Sequence, residues 1–405
     1  MTGNGNPKKA SWRTIFFDNR DVNLLTVHTA LHKFAWGSSG VFFGVYLFHA
    51  GVPLVSIFLA FAAMYALRFV LRPLVLLVAP VLGTRWTLVC GTLMNAAQYP
   101  ALALVHGVGL SLIQFCIVMA VSWVFYWTCY HAAFGALGDA HRRGSQVGAR
   151  QVIGAAAAVL GPAVGGIMLT IFGPWVAFGA AAMVEAAAVV PLLWVSETPT
   201  ERVAPPGAYR AARPGVQLFI TDGWILGASV MAWTFIMYQS LGARFDALGG
   251  LQAIAALAGA VSGAVLGRFI DLGHTRRAMW INACLIGVIL SVKSLCGNGP
   301  VVVIIVTVGA TLFGGLYTPS LMIAFYNEAK SAPCQLRFQF AAEGGWDIGA
   351  LCACLAAAAV LAVGAPLQAV IAIAIPMIPF QGWLLDRSYT SRRVLAGASA
   401  QAVNA

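Results

Sequence analysis

The stretch 64–80, MYALRFVLRPLVLLVAP, is apolar almost throughout but carries Arg68 and Arg72. An apolar run of this length is typical of a membrane-spanning helix, in which a buried cation is costly and usually functional. Residues four apart share one helix face, so both guanidinium groups point the same way. The stretch therefore predicts a membrane helix whose two cations face an opposite charge elsewhere in the chain.

The whole chain has the composition of a membrane protein. Of its 405 residues, 60% are hydrophobic and 9% are charged, whereas soluble domains carry about 25% charged residues. The formal net charge is +11, but the sequence has no basic stripe interleaved with aromatic residues and no nucleic-acid-binding motif. We therefore predict an all-α membrane protein that sits in a lipid bilayer and binds no nucleic acid.

Twelve segments are apolar and long enough to cross a membrane as helices, and they lack the alternation of barrel strands. The predicted spans are 24–48, 53–79, 86–106, 108–137, 152–172, 174–195, 218–241, 249–268, 278–297, 300–326, 338–363 and 366–385. Nineteen Lys and Arg residues fall in the termini and connections on one side of the predicted membrane. On the other side there are only Arg244 and Lys293. Because positive segments stay inside, both termini are predicted to be cytoplasmic.

A polar, Pro-rich segment at 196–217 divides the chain just past its middle. Several residues recur in the second half at a nearly constant offset, such as Tyr46 with Tyr238 and Gly154 with Gly344. We predict an N-terminal six-helix bundle (1–195), a cytoplasmic linker (196–217), and a C-terminal six-helix bundle with a cytoplasmic tail (218–405). Parallel repeats of this kind surround a central cavity in transporters.

The loop GRFIDLGHTRRAM, between the predicted spans eight and nine, resembles the loop signature of the major facilitator superfamily (MFS). Its matching residues are Gly267, Asp271, Gly273, Arg276 and Arg277. The basic pair lies about one position further along the chain than in the signature. The first-half loop, GTRW, keeps a Gly and an Arg but lacks the acidic residue. The resemblance implies the MFS fold and a latch at Asp271; the alternative is that the arginines only set topology.

The stretch LGPAVGG in span five resembles the Gly-Pro motif of proton-coupled antiporters through Gly161, Pro162, Gly165 and Gly166. It departs from that pattern upstream, where Ala157 replaces a usual Gly, and span four lacks the Arg common in drug/proton antiporters. Small residues also recur every four positions on spans five and eight, where they allow close helix approach. These faces are either a hinge surface between the halves or static packing.

Span eleven carries Glu343 and Asp347, four residues apart and at a depth similar to that of Arg68 and Arg72. In the superfamily, spans two and eleven meet between the two halves. We predict that these four residues form a cytoplasmic gate that loosens when an acid is protonated. A permanent structural ion pair is the alternative.

Candidate substrate-binding residues are polar side chains on spans that line the cavity in the superfamily. They are Lys33, Tyr46, Tyr126, Tyr130, His131, Tyr238 and Tyr317. Aromatic packing and interfacial snorkelling are the alternatives. Glu185 in span six is expected to be protonated or paired with an unidentified partner.

These observations favour a secondary active transporter that exports a small organic solute by alternating access in exchange for protons. Uptake or facilitated transport of an organic anion is the alternative. The sequence has no nucleophile–base pair, metal-ligand cluster or P-loop, so we expect no enzyme activity, cofactor or metal. We expect a monomeric, multi-pass protein of the plasma membrane, in bacteria the inner membrane.

Overall fold

A computed structural model describes residues 19–137, 143–198, 203–271, 275–314 and 317–388. Side chains within 135–136, 143–153, 263–279 and parts of 314–327 are not described. Throughout the described ranges the chain is helical and contains no β-strand. The helices are α1 (Arg20–Ser39), α2 (Phe43–His49), α3 (Leu54–Leu71), α4 (Pro73–Leu82), α5 (Thr84–Ala103), α6 (Leu110–Leu137), α7 (Arg143–Ile171), α8 (Gly173–Ala187), α9 (Val189–Leu192), α10 (Ala208–Ala211), α11 (Arg213–Ser240), α12 (Phe245–Asp271), α13 (Thr275–Leu295), α14 (Pro300–Gly314), α15 (Tyr317–Ser331), α16 (Gln335–Ala362), α17 (Leu367–Ala372) and α18 (377–388).

Eight helical segments within the described residues are long and apolar enough to cross a membrane. They are Leu54–Leu71, Leu110–Phe134, Gly154–Ile171, Gly173–Leu192, Arg213–Ser240, Phe245–Ser262, Gln335–Ala362 and Leu367–Ser388. Pro73–Leu82, Trp280–Leu295 and Pro300–Phe313 are apolar but shorter. Helices α1 and α5 are as long but less apolar, because they carry buried polar residues such as His32 and Gln98.

The predicted second span, 53–79, is interrupted in the structure. Helix α3 ends at Leu71, Arg72 lies at the break, and α4 begins at Pro73. Proline has no backbone N–H and its ring displaces the preceding turn, so the hydrogen-bond ladder is broken there. The break places Arg72 at a joint between two helices.

We call α1–α9 the N-terminal helices and α10–α18 the C-terminal helices. Within the first set, α5 packs on α6 and α8, and α1 packs on α7 and α8. Within the second set, α11 packs on α16 and α17, and α12 on α14. The main contacts between the sets are those of α3 and α6 with α16, of α7 with α12, and of α2 with α11.

One end of the molecule, which we call the basic end, carries Arg20, Arg85, Arg213 and Arg337 at helix starts. Hydrogen bonds join helix termini there: Ser196 N donates to Asp21 Oδ1 at 3.0 Å, and Arg85 Nη1 donates to the Val195 carbonyl at 3.1 Å.

The apolar core is divided at the basic end. One buried cluster there contains only residues of the N-terminal helices, and another contains only residues of the C-terminal helices. Toward the opposite end a single buried cluster includes both sets, with Phe43 and Phe58 in the same cluster as Phe235. The two sets therefore share one buried apolar cluster at the opposite end, whereas at the basic end each has its own, with Phe340 of α16 packed against the N-terminal one.

Candidate functional site: a buried charged cluster between the two helix sets

Arg68 and Arg72 of α3 both contact Asp347 of α16. Each arginine is 2% exposed and Asp347 is 0% exposed. Arg68 Nε donates to Asp347 Oδ1, while Arg72 Nη2 and Nε donate to Oδ2, the latter at 3.0 Å. One carboxylate thus bridges two guanidinium groups, and this buried contact joins the N-terminal to the C-terminal helices.

Glu343, one turn from Asp347, extends this contact to α6. Its Oε2 lies 3.9 Å from Arg68 Nη2, and its Oε1 lies 3.9 Å from His131 Nε2. Arg72 Nη1 also donates to Thr128 Oγ1 of α6 at 3.4 Å. We call Arg68, Arg72, His131, Glu343 and Asp347 the charged cluster.

Aromatic rings enclose the Arg68 side of the charged cluster. The guanidinium carbon lies 5.6, 5.3 and 5.1 Å from the ring centroids of Tyr65, Trp123 and Trp346. Aromatic faces attract a cation, and the attraction is stronger where water is excluded. Arg68 is therefore held by rings from both helix sets, as well as by Asp347.

The charges of the two arginines in the charged cluster are balanced only when both acids are ionised. Two arginines then face two carboxylates, and the desolvation cost of burying the charges is offset by their mutual attraction. Protonation of either acid would leave an excess positive charge between α3 and α16. The contact between the two helix sets therefore depends on the negative charges of Glu343 and Asp347.

A second buried carboxylate, Asp222 of α11, lies next to the charged cluster and was missed by the sequence analysis. Tyr317 OH donates to Asp222 Oδ1 at 2.7 Å, and Trp346 Nε1 donates to Oδ2 at 2.9 Å. Gln381 Nε2 donates to Tyr317 OH at 3.2 Å. The signal available in the sequence was an acidic residue inside the apolar run 218–241.

The structure places the seven candidate substrate-binding residues in several different environments. Tyr46 OH donates to the Ala103 carbonyl at 3.3 Å, Tyr126 OH lies 3.1 Å from His28 Nε2, and Tyr130 OH lies 2.9 Å from Thr29 Oγ1. These phenols pack among the N-terminal helices, and Tyr238 is buried against Phe245.

The other three candidates lie in different places. His131 belongs to the charged cluster, and Tyr317 bonds Asp222. Lys33 lies against Gly154 of α7, where a Cβ atom would be 2.5 Å from its Nζ.

Glu185 of α8 has a partner in the structure. Its Oε1 accepts from His32 Nδ1 at 2.8 Å, and both residues are buried. His32 also stacks on Tyr126, with 4.3 Å between ring centroids. Since 153 residues separate the pair, only the packing of α1 on α8 brings them together.

The Gly-Pro motif places α7 between α1 and α12. A Cβ atom on Gly161 would lie 2.9 Å from Gly37, and one on Gly165 would clash with the Ser38 carbonyl. On the other face, Gly166 lies against the Phe245 carbonyl and Pro162 against Gly249. The backbones of the two helix sets therefore touch near the end opposite the basic end.

In the loop motif, Gly273 lies outside the described residues, and nothing is described of the side chains at Gly267, Asp271, Arg276 and Arg277. Only the backbones of α12 up to Asp271 and of α13 from Thr275 are described there. The latch at Asp271 stays a prediction.

The family model described as Major Facilitator Superfamily matches residues 25–332. The chain belongs to the major facilitator superfamily. It is therefore an integral, multi-pass membrane protein of a transporter family. No curated protein sequence matches this superfamily member.

Solved structures of other transporters share its fold. PepTSo, a POT family transporter, has 12% sequence identity and a TM-score of 0.72, covering 92% of this MFS chain and 99% of its own. The human organic anion transporter MFSD10 has 16% identity and a TM-score of 0.61, covering 90% and 99%. A mutant of the nucleoside transporter NupG has 12% identity and a TM-score of 0.64, covering 91% and 99%.

Proposed function

We propose that this protein is a secondary active transporter that moves a small organic solute by alternating access, coupled to protons. The observation that carries the proposal is the shared contact of Arg68 and Arg72 with Asp347, because it is buried and joins the two helix sets. In this proposal the charged cluster is the cytoplasmic gate. Twelve membrane crossings, two six-helix bundles (1–195 and 218–405) and cytoplasmic termini complete the proposed architecture.

The two ends of the molecule differ in a way that suits this mechanism. Apolar and glycine contacts join the helix sets at the end opposite the basic end, whereas charges join them nearer the basic end. A proton added to Asp347 or Glu343 removes one carboxylate charge and weakens the attraction of α16 for α3. The proton thus favours separation of the helix sets at the basic end, and its release favours closure.

We assign the direction as export in exchange for protons, on the resemblance of the Gly161–Gly166 stretch to antiporters. Uptake of an organic anion is the second candidate. The positive charges of Arg68 and Arg72 do not support it, because Asp347 and Glu343 already neutralise them. We place the protein, as a monomer, in the plasma membrane of a bacterium, the inner membrane.

Proton coupling is tested with purified protein in liposomes that contain a pH-sensitive dye. A panel of organic anions, cations and neutral solutes is added outside, and internal pH and solute content are measured together. We expect one class of solute to enter while internal pH rises, because antiport expels a proton for each solute gained. A fall in pH would indicate symport, and solute entry unaltered by a protonophore would contradict coupling.

A further inference from the structure

A cavity of about 350 Å³ lies among the C-terminal helices, between α11, α12, α13 and the α14–α15 pair. Its walls are mostly aliphatic, and its few polar groups are Ser229, Lys293, Thr311 and Tyr317. It is open beside Val230, which is 55% exposed. Apolar walls with a few placed polar groups are typical of small-molecule sites of this volume.

Lys293, in the last turn of α13, points its charge toward this region. Its Nζ lies 4.9 Å from the ring centroid of Trp233 on α11. Trp233 is buried and its Nε1 donates to Thr307 Oγ1 at 3.1 Å, so the ring is fixed. The ammonium group is therefore held among the helices and is not directed away from them.

Within the described ranges no carboxylate oxygen lies within 4.0 Å of Lys293 Nζ. The helix dipole and the Trp233 ring offset part of the cost of this charge. A lysine at the end of a membrane helix ordinarily turns its ammonium group to water. Lys293 instead lies over the Trp233 ring beside the cavity, where its charge is available to a ligand. Among the described residues, Lys293 supplies a positive charge with no carboxylate partner, and a bound anion would supply the negative one.

We propose that this cavity binds a small amphipathic organic monoanion, with its charged group on Lys293 and its apolar body along Ile225, Ile286 and Leu290. A single lysine suits a single negative charge, and the cavity volume limits the ligand to a compact ring system or short chain. That this anion is the transported solute rests on the proposed function, whereas the binding site does not.

The cavity is connected to the charged cluster through two hydrogen bonds and one cation–π contact. Tyr317 lines the cavity and donates to Asp222, which also accepts from Trp346. Trp346 contacts Arg68 and precedes Asp347 in α16. A ligand that moves Tyr317 would shift this chain of contacts. Binding in the cavity would in this way alter the charged cluster.

Calorimetry on the purified full-length protein in detergent tests the site with three naphthalene probes. They are 1-naphthalenesulfonate, neutral 1-naphthalenemethanol and cationic 1-naphthylmethylammonium. We expect the sulfonate to bind about 10- to 100-fold more tightly than the alcohol, the range for a hydrogen bond to a charged group. The ammonium probe should bind most weakly.

Two pairs of variants test separately how the charge of Lys293 and the volume of the cavity contribute to binding. Lys293→Met should reduce sulfonate affinity to that of the alcohol, whereas Lys330→Met, at an exposed position in α15, should leave it unchanged. Gly259→Leu should fill the cavity and weaken both probes. Gly259→Ala should not, because its Cβ would sit 3.7 Å from Thr311.

Equal affinities for sulfonate and alcohol, or sulfonate binding unaffected by Lys293→Met, would overturn the proposal. Displacement of the sulfonate by one equivalent of phosphatidylglycerol would also overturn it, since it assigns the cavity to a membrane lipid. Lys293-dependent binding without solute flux in liposomes would support the site and count against the transport function.

Discussion

We expect replacement of Asp347 by Asn to reduce transport at least about 100-fold. The substitution leaves Arg68 and Arg72 adjacent and buried with only Glu343, 3.9 Å from Arg68, as a counter-charge. Breaking a buried ion pair by removing one partner costs about 3–5 kcal/mol. We expect a lower unfolding temperature in detergent. We also expect a transport rate reduced at least about 100-fold per folded molecule, which corresponds to a barrier raised by about 3 kcal/mol. Flux in liposomes and thermal unfolding measure the two effects.

A matched control removes a carboxylate at the surface of the same end. Glu197→Gln removes the negative charge of a side chain that is 40% exposed and 4.0 Å from Arg85. Exposed pairs contribute about 0–1 kcal/mol, so stability and transport should be nearly unchanged. Similar losses in both variants would show that any deleted acid has this effect, and would remove Asp347 from its special role.

A double variant separates a gate from a permanent structural pair. Arg72→Leu with Asp347→Leu removes one charge of each sign and restores the charge balance of the cluster. Replacing a buried ion pair by apolar residues is often neutral or stabilising. We expect the double variant to recover thermal stability but not proton-coupled transport. Recovery of both, with the original pH dependence, would favour the permanent pair.

The close contact of α7 with α12 gives the second large effect. A Cβ atom on Gly249 would meet the Pro162 carbonyl, whereas one on the neighbouring Gly250 would meet nothing within 4 Å. Gly→Ala inside a helix otherwise stabilises by about 0.5–1 kcal/mol. We expect Gly249→Ala to lower the unfolding temperature and reduce transport at least about tenfold, and Gly250→Ala to preserve both.

The same pair of variants distinguishes a hinge surface from static packing. If α7 and α12 must close against each other in every transport cycle, Gly249→Ala should slow transport per folded molecule. If the contact is only packing, stability should fall while the rate per folded molecule stays normal. Equal behaviour of Gly249→Ala and Gly250→Ala in both measurements would contradict the close contact itself.

The sequence identified charged residues inside apolar runs, where charge is costly, and the structure places these residues together. Arg68, Arg72, Glu343 and Asp347 stood out because charge is rare in apolar runs, and their four-residue spacing fixed a common face on each helix. Depth along a helix can be counted from its ends, so opposite charges at equal depth could be matched without coordinates.

The tyrosines show what spacing along the sequence does not predict, namely the partner that a helix face contacts. Helical spacing placed Tyr126 and Tyr130 on one face of span four, but the direction of that face depends on how α6 packs on α1. The structure turns it toward His28 and Thr29. Likewise Glu185 finds His32 and Asp222 finds Tyr317 only through tertiary packing, since distant sequence positions carry no sign of contact.

The central claim is that α3 and α16 separate near the charged cluster during transport, and crosslinking tests it most directly. A Cβ atom on Gly344 would lie 3.5 Å from the Phe69 ring, so the two positions adjoin. Phe69→Cys and Gly344→Cys are combined after the eight native cysteines are replaced, and a short bifunctional thiol reagent is applied in liposomes. The account predicts that crosslinking stops solute flux and that cleavage of a reducible linker restores it, while either single variant is unaffected. Full flux through the crosslinked protein would contradict it.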